Sequence, residues 1–441
     1  MENLNWLTAN QAAQGIRDGI FSSRDLVQAC IAQIQAREPE IQAWAHFDAE
    51  HALTQAAKAD DHRAAGKPLG PLHGVPVGIK DIIDTGDMPT ENGTPVHSGR
   101  KPWHDAKVVE LLRSAGAIIM GKTVTTELAT YSPGKTRNPH NPEHTPGGSS
   151  SGSAAAVAAG MVPLAIGTQT NGSLIRPAAY CGVFGFKPSR GLISRQGILR
   201  QSERLDQVGG FARSLEDLAL LSEVLTAYDA DEPGMTPHAT IPMLSICKED
   251  PPIPPKLVLI KTPWWDRLDA DTREGFGELV ELLEGSVGEF FLPDSAALAL
   301  DWHKTIMEAD IAANYVTEFE RGADKLSASL LEQIQRGRKL KAFDYLQALA
   351  RMPIVTDALD EIFDRFDAII TPAVAGAAPH GLESTGDPMF CTLWSFCGMP
   401  ALSLPLLQSG NGLPVGVQLV GRAGDDARLL RTARWLIDTI K

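Results

Sequence analysis

Several features that mark other protein classes are missing from this 441-residue sequence. No stretch approaches the roughly 20 apolar residues of a membrane-spanning helix, and the opening residues lack the basic and apolar segments of a secretory signal. The five cysteines are odd in number, widely spaced and without CxxC spacing, which argues against a disulfide framework or a zinc cage. From these absences we expect a protein of the reducing cytoplasm.

Basic residues are also in deficit. The chain has 40 Lys and Arg against 54 Asp and Glu, which gives a formal net charge of −14. Such a surface would repel the phosphates of nucleic acids and of anionic lipids. The composition therefore favours a small-molecule substrate over a nucleic acid or a membrane. The length suffices for one large α/β domain or two smaller ones.

The apolar pattern indicates an α/β fold. Residues 75–79, 117–120 and 162–166 are short apolar runs typical of buried strands, and helical patterns lie between them. The first forty residues predict a packed pair of helices, with Ser23 as a cap. Residues 229–255 contain seven prolines and predict a long connection. Further strands are expected over residues 366–371, 401–406 and 415–420.

Two serine- and glycine-rich segments are the most informative part of the chain. Residues 146–153 read PGGSSSGS, and residues 167–177 read GTQTNGSLIRP. Glycine lets a backbone approach a reacting carbonyl closely, and a serine on such a loop can present its hydroxyl beside backbone N–H groups. A flexible linker would stay polar, whereas the first segment runs into the buryable stretch AAAVAA at 154–159. The pattern favours an acyl-transfer site.

Two other segments have the residue types of known motifs, but the secondary structure expected around them does not suit those motifs. Residues 116–123 fit the phosphate-loop pattern, but residues 117–120 are strand-like, so their N–H groups would be used in sheet pairing. Residues 148–152 fit the GxSxG elbow, which requires a strand immediately before it. The preceding residues 138–146 are instead rich in turn formers. We reject both interpretations.

Two residue pairs are set aside for similar reasons. Ser132 and Lys135 have the SxxK spacing, but the Pro-Gly between them disfavours the helical turn that this dyad needs. His140 and His144 have a spacing that suits a metal, but they lie on a proline-punctuated loop without a third ligand. A solvated loop is the simpler interpretation of the histidines.

A serine nucleophile needs a base, and the serine segments have no histidine nearby other than the loop pair already set aside. Lys80 ends the apolar run 75–79, and burial of that run would lower the pKa of the lysine towards the range of a base. The local pattern equally allows a structural lysine paired with Asp81 or Asp84 at the end of a strand. The residues alone leave both interpretations open.

Several motifs together resemble the amidase signature family of serine hydrolases. They are GVPVGIKD at 74–81, PGGSSSGSAAAVAAG at 146–160, GTQTNGSLIRPAAYCGVFGFKPS at 167–189 and RLDQVGGFARSLEDLALL at 204–221. Weaker matches follow in FDAIITP at 366–372 and LPVGVQLVG at 413–421. Because the motifs occur in the family's order, chance does not account for the similarity.

The resemblance implies a Ser-cisSer-Lys triad. Ser173 would be the nucleophile, Ser149 the serine preceded by a cis peptide bond, and Lys80 the base that takes the nucleophile's proton through Ser149. The reverse path would protonate the leaving amine, which is too basic to depart as an anion. By position, the oxyanion hole would be formed by the backbone N–H groups of Thr170, Asn171, Gly172 and Ser173.

The resemblance also implies the fold and the reaction. The expected fold is a single α/β/α sandwich around a large mixed β-sheet, with a helical part at 1–65, the signature core at 66–228, a variable excursion at 229–330 and a C-terminal completion of the sheet at 331–441. The implied substrates are water and a small carboxamide, anilide, ester or carbamate, without metal or organic cofactor. The oligomeric state, a homodimer included, is left open.

Two alternatives stand beside the stand-alone amidase. One is the A subunit of an aminoacyl-tRNA amidotransferase, which releases ammonia from glutamine for a partner subunit. The other is a catalytically silent relative that only binds. The intact positions Lys80, Ser149 and Ser173 argue against the silent protein.

The chain departs from the family pattern near the nucleophile. Gln169 stands where many members have Asp, Asn171 and Ser151 where they have Gly, and the arginine is shifted by one position to Arg176. Since Gln169 cannot pair with it as a carboxylate would, Arg176 is a candidate substrate-binding residue. The other candidates for lining the pocket are aromatic residues and a methionine: Tyr131, Trp302, Met307, Phe390 and Trp394.

Overall fold

The computed structural model describes residues 3–283 and 285–440. The strands are β1 Trp44–Phe47, β2 Pro76–Lys80, β3 Ile118–Thr123, β4 Leu164–Gln169, β5 Phe184–Lys187, β6 Gln207–Ala212, β7 Leu257–Lys261, β8 Val287–Phe291, β9 Ala368–Pro372, β10 Ala401–Gln408 and β11 Pro414–Val420. The α-helices are α1 Ala9–Arg17, α2 Ser23–Ile41, α3 Ala49–Ala64, α4 Lys107–Ser114, α5 Ser151–Ala158, α6 Ile175–Cys181, α7 Leu215–Leu225, α8 Met243–Lys248, α9 Ala270–Leu282, α10 Leu298–Asn314, α11 Val316–Gly322, α12 Ala328–Gly337, α13 Ala342–Asp360, α14 Met389–Cys397 and α15 Asp426–Thr439.

The strands form one mixed sheet with helices on both faces. Within the described residues its eleven strands run in the order β1-β3-β2-β4-β6-β5-β10-β11-β9-β7-β8. β2 is parallel to β3 and β4, β7 is parallel to β8 and β9, and the other pairs are antiparallel. Alternate residues of β7 lie in two different apolar clusters, Leu257 and Leu259 in one and Val258 and Ile260 in the other, so both faces of the sheet are covered there. The predicted α/β/α sandwich is confirmed.

Helix starts follow the local chemistry of capping. The Ser22 side chain accepts a hydrogen bond from the Asp25 N–H, and the Asp25 carboxylate accepts one from the Ser22 N–H. These two bonds satisfy N–H groups that the first turn of α2 leaves free. Ser22 is therefore the cap, and the prediction of Ser23 was wrong by one residue. Ser23 is the first helical residue of α2.

The phosphate-loop-like segment 116–123 is sheet structure from residue 118 onward. Ile118–Thr123 form β3, which pairs with β1 on one side and β2 on the other. Their N–H groups therefore cannot cradle a phosphate. Lys122 is fully buried and its Nζ donates hydrogen bonds to the Ile83 carbonyl at 2.6 Å and to the Thr90 hydroxyl at 2.5 Å.

The region 229–330 also contributes to the sheet. It holds α8 within the proline-rich connection and supplies β7 and β8 at the edge opposite β1. The late strands β9, β10 and β11 lie between these two strands and the signature core. Neighbouring strands of the sheet therefore come from distant parts of the sequence.

The topology brings the two serine-rich segments to one edge of the sheet. β2 and β4 are parallel neighbours, so their carboxyl ends, Lys80 and Gln169, lie on the same side. α5 begins at Ser151 and packs against β2 and β4. Ligand sites in open α/β sheets typically form beyond such carboxyl ends. In the described part of the chain, no helix is both long and apolar enough to cross a membrane.

Candidate active site

Lys80 is a buried amine in contact with two hydroxyl groups. Its Nζ lies 2.7 Å from the Ser149 Oγ and 2.8 Å from the Thr168 Oγ1. Burial lowers the pKa of Lys80 to about 7, against an opposing influence of the Asp206 carboxylate. An amine with that pKa is largely neutral just above pH 7, and a neutral amine can accept a proton.

The structural alternative for Lys80, a pairing with a neighbouring carboxylate, does not occur. Asp81 lies 3.8 Å from the Lys122 Nζ, and Asp84 forms a short ion pair with Arg100, at 2.7 Å. Both nearby carboxylates thus contact other cations. Lys80 points instead to the serine-rich loop.

Ser149 follows a cis peptide bond between Gly148 and Ser149. The loop turns at Gly147, where φ is +81° and a Cβ would lie 2.8 Å from the Pro177 Cα. Only glycine fits that position without strain. The remaining serines of the run bond to backbone carbonyls of neighbouring segments: Ser150 to Thr168, Ser151 to Val124 and Ser153 to Ile166. These three hydroxyl groups therefore hold the loop to the segments beside it.

Ser173 lies on the turn between β4 and α6. It is half-buried and lines a narrow cavity together with Thr130, Thr170, Gln201 and other residues. Within the described residues, the N–H groups from Thr170 to Ser173 have no hydrogen-bond acceptor. Four free amides beside a serine at the wall of a cavity can bind an oxygen that carries negative charge.

The predicted oxyanion loop is held by side chains from outside it. The Asp206 carboxylate accepts a hydrogen bond from the Thr170 Oγ1 at 2.6 Å, and His303 on α10 contacts the Thr170 carbonyl at 3.0 Å. Ser395 on α14 donates to the Asn171 carbonyl at 2.5 Å. Sequence reasoning missed these three residues. Asp206 lies within a signature motif, but His303 and Ser395 are distant in sequence and carry no local signal.

Arg176 is buried against the same cavity. Its Nη2 donates to the Gly148 carbonyl at 2.7 Å and to the Thr385 hydroxyl at 3.1 Å. The side chain is only 2% exposed. Among the described residues, Nε and Nη1 have no hydrogen-bond partner and no carboxylate forms an ion pair with the guanidinium. A buried cation with free donors can bind an anion.

Some of the aromatic and methionine candidates line the cavities, and the others lie in the apolar core. Tyr131 and Met307 line both the narrow cavity and a wider outer cavity. The Tyr131 hydroxyl accepts a hydrogen bond from the Asn171 side chain at 3.3 Å. These residues with Asn171 form the boundary between the two spaces. The outer cavity is lined on its far side by Lys304 and by the Glu308–Arg336 ion pair.

Trp394, the other predicted pocket residue, is not among the residues that line the two cavities. Its side chain is fully buried in an apolar cluster and lines neither cavity, because α14 turns that face towards the core. Phe390 lies in the same core, and the Trp302 ring packs on Phe396. The polar face of α14, with Thr392, meets the active-site loop instead.

The two loop histidines have structural partners. The His140 ring contacts the Cys181 carbonyl at 2.9 Å, and the His144 ring contacts the Ala378 carbonyl at 2.7 Å. In the described part of the chain, no group of three or more His, Cys, Asp or Glu side chains is placed to hold a metal ion.

Comparison with known proteins identifies the class of this fold and site. The family model described as Amidase matches residues 25–430. The A subunit of the glutamyl-tRNA(Gln) amidotransferase of Lachnospira eligens is 33% identical, and the match covers 96% of each chain. The peptide amidase of Stenotrophomonas maltophilia superposes with a TM-score of 0.87 at 27% identity, over 98% of this chain and 96% of that one.

A further solved structure is described as a vestigial protein complex that reveals the evolutionary origins of an s-triazine catabolic enzyme. It superposes with a TM-score of 0.92 at 26% identity, and 98% of each chain is covered. The chain belongs to the amidase family, and the resemblance expected from its motifs is confirmed. It is accordingly a hydrolase of carbon–nitrogen bonds.

Proposed function

We propose that this protein is a stand-alone amidase that forms an acyl-enzyme on Ser173. The observation that carries the proposal is the 2.7 Å contact between the Lys80 amine and the Ser149 hydroxyl, combined with the burial that lowers the pKa of Lys80 to about 7. A serine relay next to a buried, easily neutralised amine provides the proton path that amide cleavage requires.

The reaction would begin with the substrate carbonyl carbon against the Ser173 hydroxyl. Neutral Lys80 accepts the Ser149 proton while Ser149 accepts the Ser173 proton, and the Ser173 oxygen attacks the carbonyl carbon. The carbonyl oxygen becomes an oxyanion, which the free N–H groups of residues 170–173 stabilise. The proton returns through Ser149 to the leaving nitrogen, and the carbon–nitrogen bond breaks to leave an acyl ester on Ser173.

The second half of the reaction uses the same groups in the same order. Water enters the place of the amine, gives a proton to Lys80 through Ser149, and attacks the acyl ester. The Ser173 oxygen leaves with the returned proton, the carboxylic acid is released, and the enzyme is restored. Side chains and water account for every proton transfer in these steps.

The substrate we propose is a small carboxamide, anilide, ester or carbamate whose acyl part carries an anionic group. The inner cavity beside Ser173 is narrow, which favours a small acyl group. Arg176, whose Nε and Nη1 lack partners among the described residues, lies in its wall beside Ser173. A carboxylate on the substrate could accept a hydrogen bond from a free donor of this buried guanidinium and would neutralise its charge.

The second candidate is an amidotransferase component that releases ammonia from glutamine. It is favoured by the curated relatives, one of which is the A subunit of a glutamyl-tRNA(Gln) amidotransferase that aligns over 96% of its length. Glutamine itself carries a carboxylate, so Arg176 does not separate the two. In the amidotransferase, useful transfer of ammonia would require a partner subunit.

The deciding experiment assays the purified chain alone against aryl amides, aliphatic amides, glutamine, esters and carbamates. Rapid turnover of simple amides supports the stand-alone amidase. Turnover of glutamine only, and only with a partner subunit, would favour the amidotransferase.

A second experiment tests the nucleophile. A fluorophosphonate should label wild-type protein and the Ser403→Ala control but not Ser173→Ala. Ser403 is a suitable control because its hydroxyl is buried without a partner among the described residues.

If the wild-type chain resists the fluorophosphonate and hydrolyses no compound of the panel with any partner, the proposed chemistry is wrong. Labelling that persists in Ser173→Ala would place the nucleophile elsewhere.

A further inference from the structure

The oxyanion loop has an unusual set of supports. In a trans peptide plane the carbonyl of one residue and the N–H of the next point in opposite directions. A hydrogen-bond donor that binds a carbonyl on one side of the loop therefore directs the N–H of the next residue to the opposite side. In this loop, three successive carbonyls are held in that way.

The three donors come from different parts of the structure. The Gly172 carbonyl accepts from the Arg176 N–H of the following helix at 3.0 Å, which is a local turn. The Asn171 carbonyl accepts from the Ser395 hydroxyl. The Thr170 carbonyl accepts from the His303 ring, so Nε2 carries the hydrogen. Burial lowers the pKa of His303 to about 4, and the imidazole is neutral at physiological pH.

The direction of the Ser395 hydroxyl is itself controlled. The Gln169 Oε1 accepts from the N–H groups of Leu174 and Ile175 at 2.8 and 3.0 Å. Its Nε2 must therefore face the other way, and it donates to the Ser395 Oγ at 2.9 Å. Because that oxygen already accepts a hydrogen bond from Gln169, its single hydrogen is left to donate to the Asn171 carbonyl.

A carboxylate at position 169 could not do this. An ionised carboxyl group only accepts hydrogen bonds, so the Ser395 hydroxyl would turn to donate to it and release the Asn171 carbonyl. The amide of Gln169 does both: its oxygen caps the start of α6, and its nitrogen keeps the Ser395 hydrogen on the loop. Both side chains are fully buried, so water does not replace either bond.

We propose that Gln169 and Ser395 form a relay that aims the Gly172 N–H into the oxyanion hole, and that His303 does the same for the Asn171 N–H. All three are positioning residues, because they act through the backbone and not on the substrate. The inference rests on the proposed hydrolysis at Ser173.

The test compares Gln169→Glu, Ser395→Ala, their double variant and His303→Phe with wild type. Kinetics are measured with an aryl amide on the alkaline plateau, where the new carboxyl group is ionised and Lys80 is neutral. Each single variant should lose about 10- to 100-fold in kcat with KM within about twofold, since losing one oxyanion donor outright costs about 100- to 1,000-fold. An aryl trifluoromethyl ketone is attacked by the serine and forms an adduct with a negatively charged oxygen. The affinity for this ketone should fall by a similar factor.

The double variant distinguishes a relay from two independent defects. If Gln169 acts through Ser395, the combined loss should be no larger than the greater single loss, because both changes free the same carbonyl. Ser403→Ala is the matched control for loss of a buried hydroxyl and should retain wild-type kcat. Thermal unfolding of every variant confirms that the fold is retained.

The proposal is overturned if Gln169→Glu and Ser395→Ala keep wild-type kcat and ketone affinity, or if their losses multiply in the double variant. A loss that falls on KM with kcat unchanged would also contradict it, since that pattern reports substrate binding and not the transition state. In these cases, turnover by the wild-type protein would still support the proposed hydrolysis at Ser173. Failure of the wild-type chain to hydrolyse any compound of the panel would remove the hydrolase proposal and the relay together.

Discussion

Lys80 and Lys187 are both fully buried on strands of one sheet, and burial lowers the pKa of each to about 7. Their contacts differ. Lys80 meets the Ser149 hydroxyl, whereas Lys187 donates to the Gln207 side chain and to the Met399 carbonyl. A shifted pKa therefore does not by itself identify the base. The group that the amine touches decides its role.

The first prediction concerns pH. Since the neutral form of Lys80 is the base and its pKa is about 7, kcat/KM should rise about tenfold per pH unit below pH 7 and level off above it. Lys80→Met should lower kcat by about 100- to 10,000-fold, the usual contribution of a general base. The measurement is a pH profile with a neutral aryl amide, whose own charge is constant.

A profile that falls through pH 7 as pH rises would mean that the charged amine is the active form. Retention of activity in Lys80→Met would show that another group takes the proton.

The second prediction concerns bulk at Gly172. A Cβ there would lie 3.0 Å from the Pro388 Cβ and 3.3 Å from the Cys391 Cβ, so any side chain must push the loop. We expect Gly172→Val to fold and to lose about 100- to 1,000-fold in kcat, as expected when an oxyanion donor is displaced. Steady-state kinetics and circular dichroism check both parts.

Gly277→Ala is the matched control for Gly172, because a Cβ at Gly277 meets nothing within 4 Å and alanine suits the interior of α9. It should keep wild-type kcat. Near-normal activity of Gly172→Val would remove this loop from the oxyanion hole.

The third prediction concerns the anionic group of the substrate. Arg176→Leu should lower kcat/KM for a carboxylate-bearing amide about 10- to 100-fold more than for its neutral methyl ester counterpart, since a charged hydrogen bond contributes roughly 1.5–3 kcal/mol. The ratio between the two substrates is the measurement. It cancels any uniform loss that comes from the Arg176 contact with the Gly148 carbonyl.

Arg176→Lys keeps the charge but loses the planar fork, and we expect it to retain part of the preference. Equal losses for both substrates in Arg176→Leu would show that Arg176 only supports the loop.

The fourth prediction separates serine from cysteine chemistry. The five cysteines are all free and buried, and burial raises the pKa of Cys30, Cys247, Cys391 and Cys397 to about 12 and that of Cys181 still higher. Because the thiolate is the reactive form, iodoacetamide at neutral pH should leave amidase activity unchanged. Loss of activity in step with alkylation of one thiol would contradict this and direct attention to that residue.

Sequence reasoning identified the local elements and most of the candidate site. The strand periodicity of residues 117–120 excluded a phosphate loop, and the serine-rich segments predicted the loops that lie at the ends of β2 and β4. Ser23 was placed one residue from the true cap, because Ser22 and Ser23 carry the same hydroxyl and only the backbone angles distinguish them. Trp394 was assigned to the pocket because an aromatic residue in a helix looks the same whether it faces a cavity or the core.

The motifs by themselves determined the family, the candidate triad and the class of chemistry, because each depends on residue types at short, fixed spacings. Three things were decided only by the tertiary structure: that Lys80 meets Ser149 and not Asp81, that Arg176 keeps free donors beside Ser173, and that His303 and Ser395 hold the loop. Those contacts join residues that are 28 to 224 positions apart. Such pairings arise from sheet order and helix packing, which short-range patterns in a sequence do not encode.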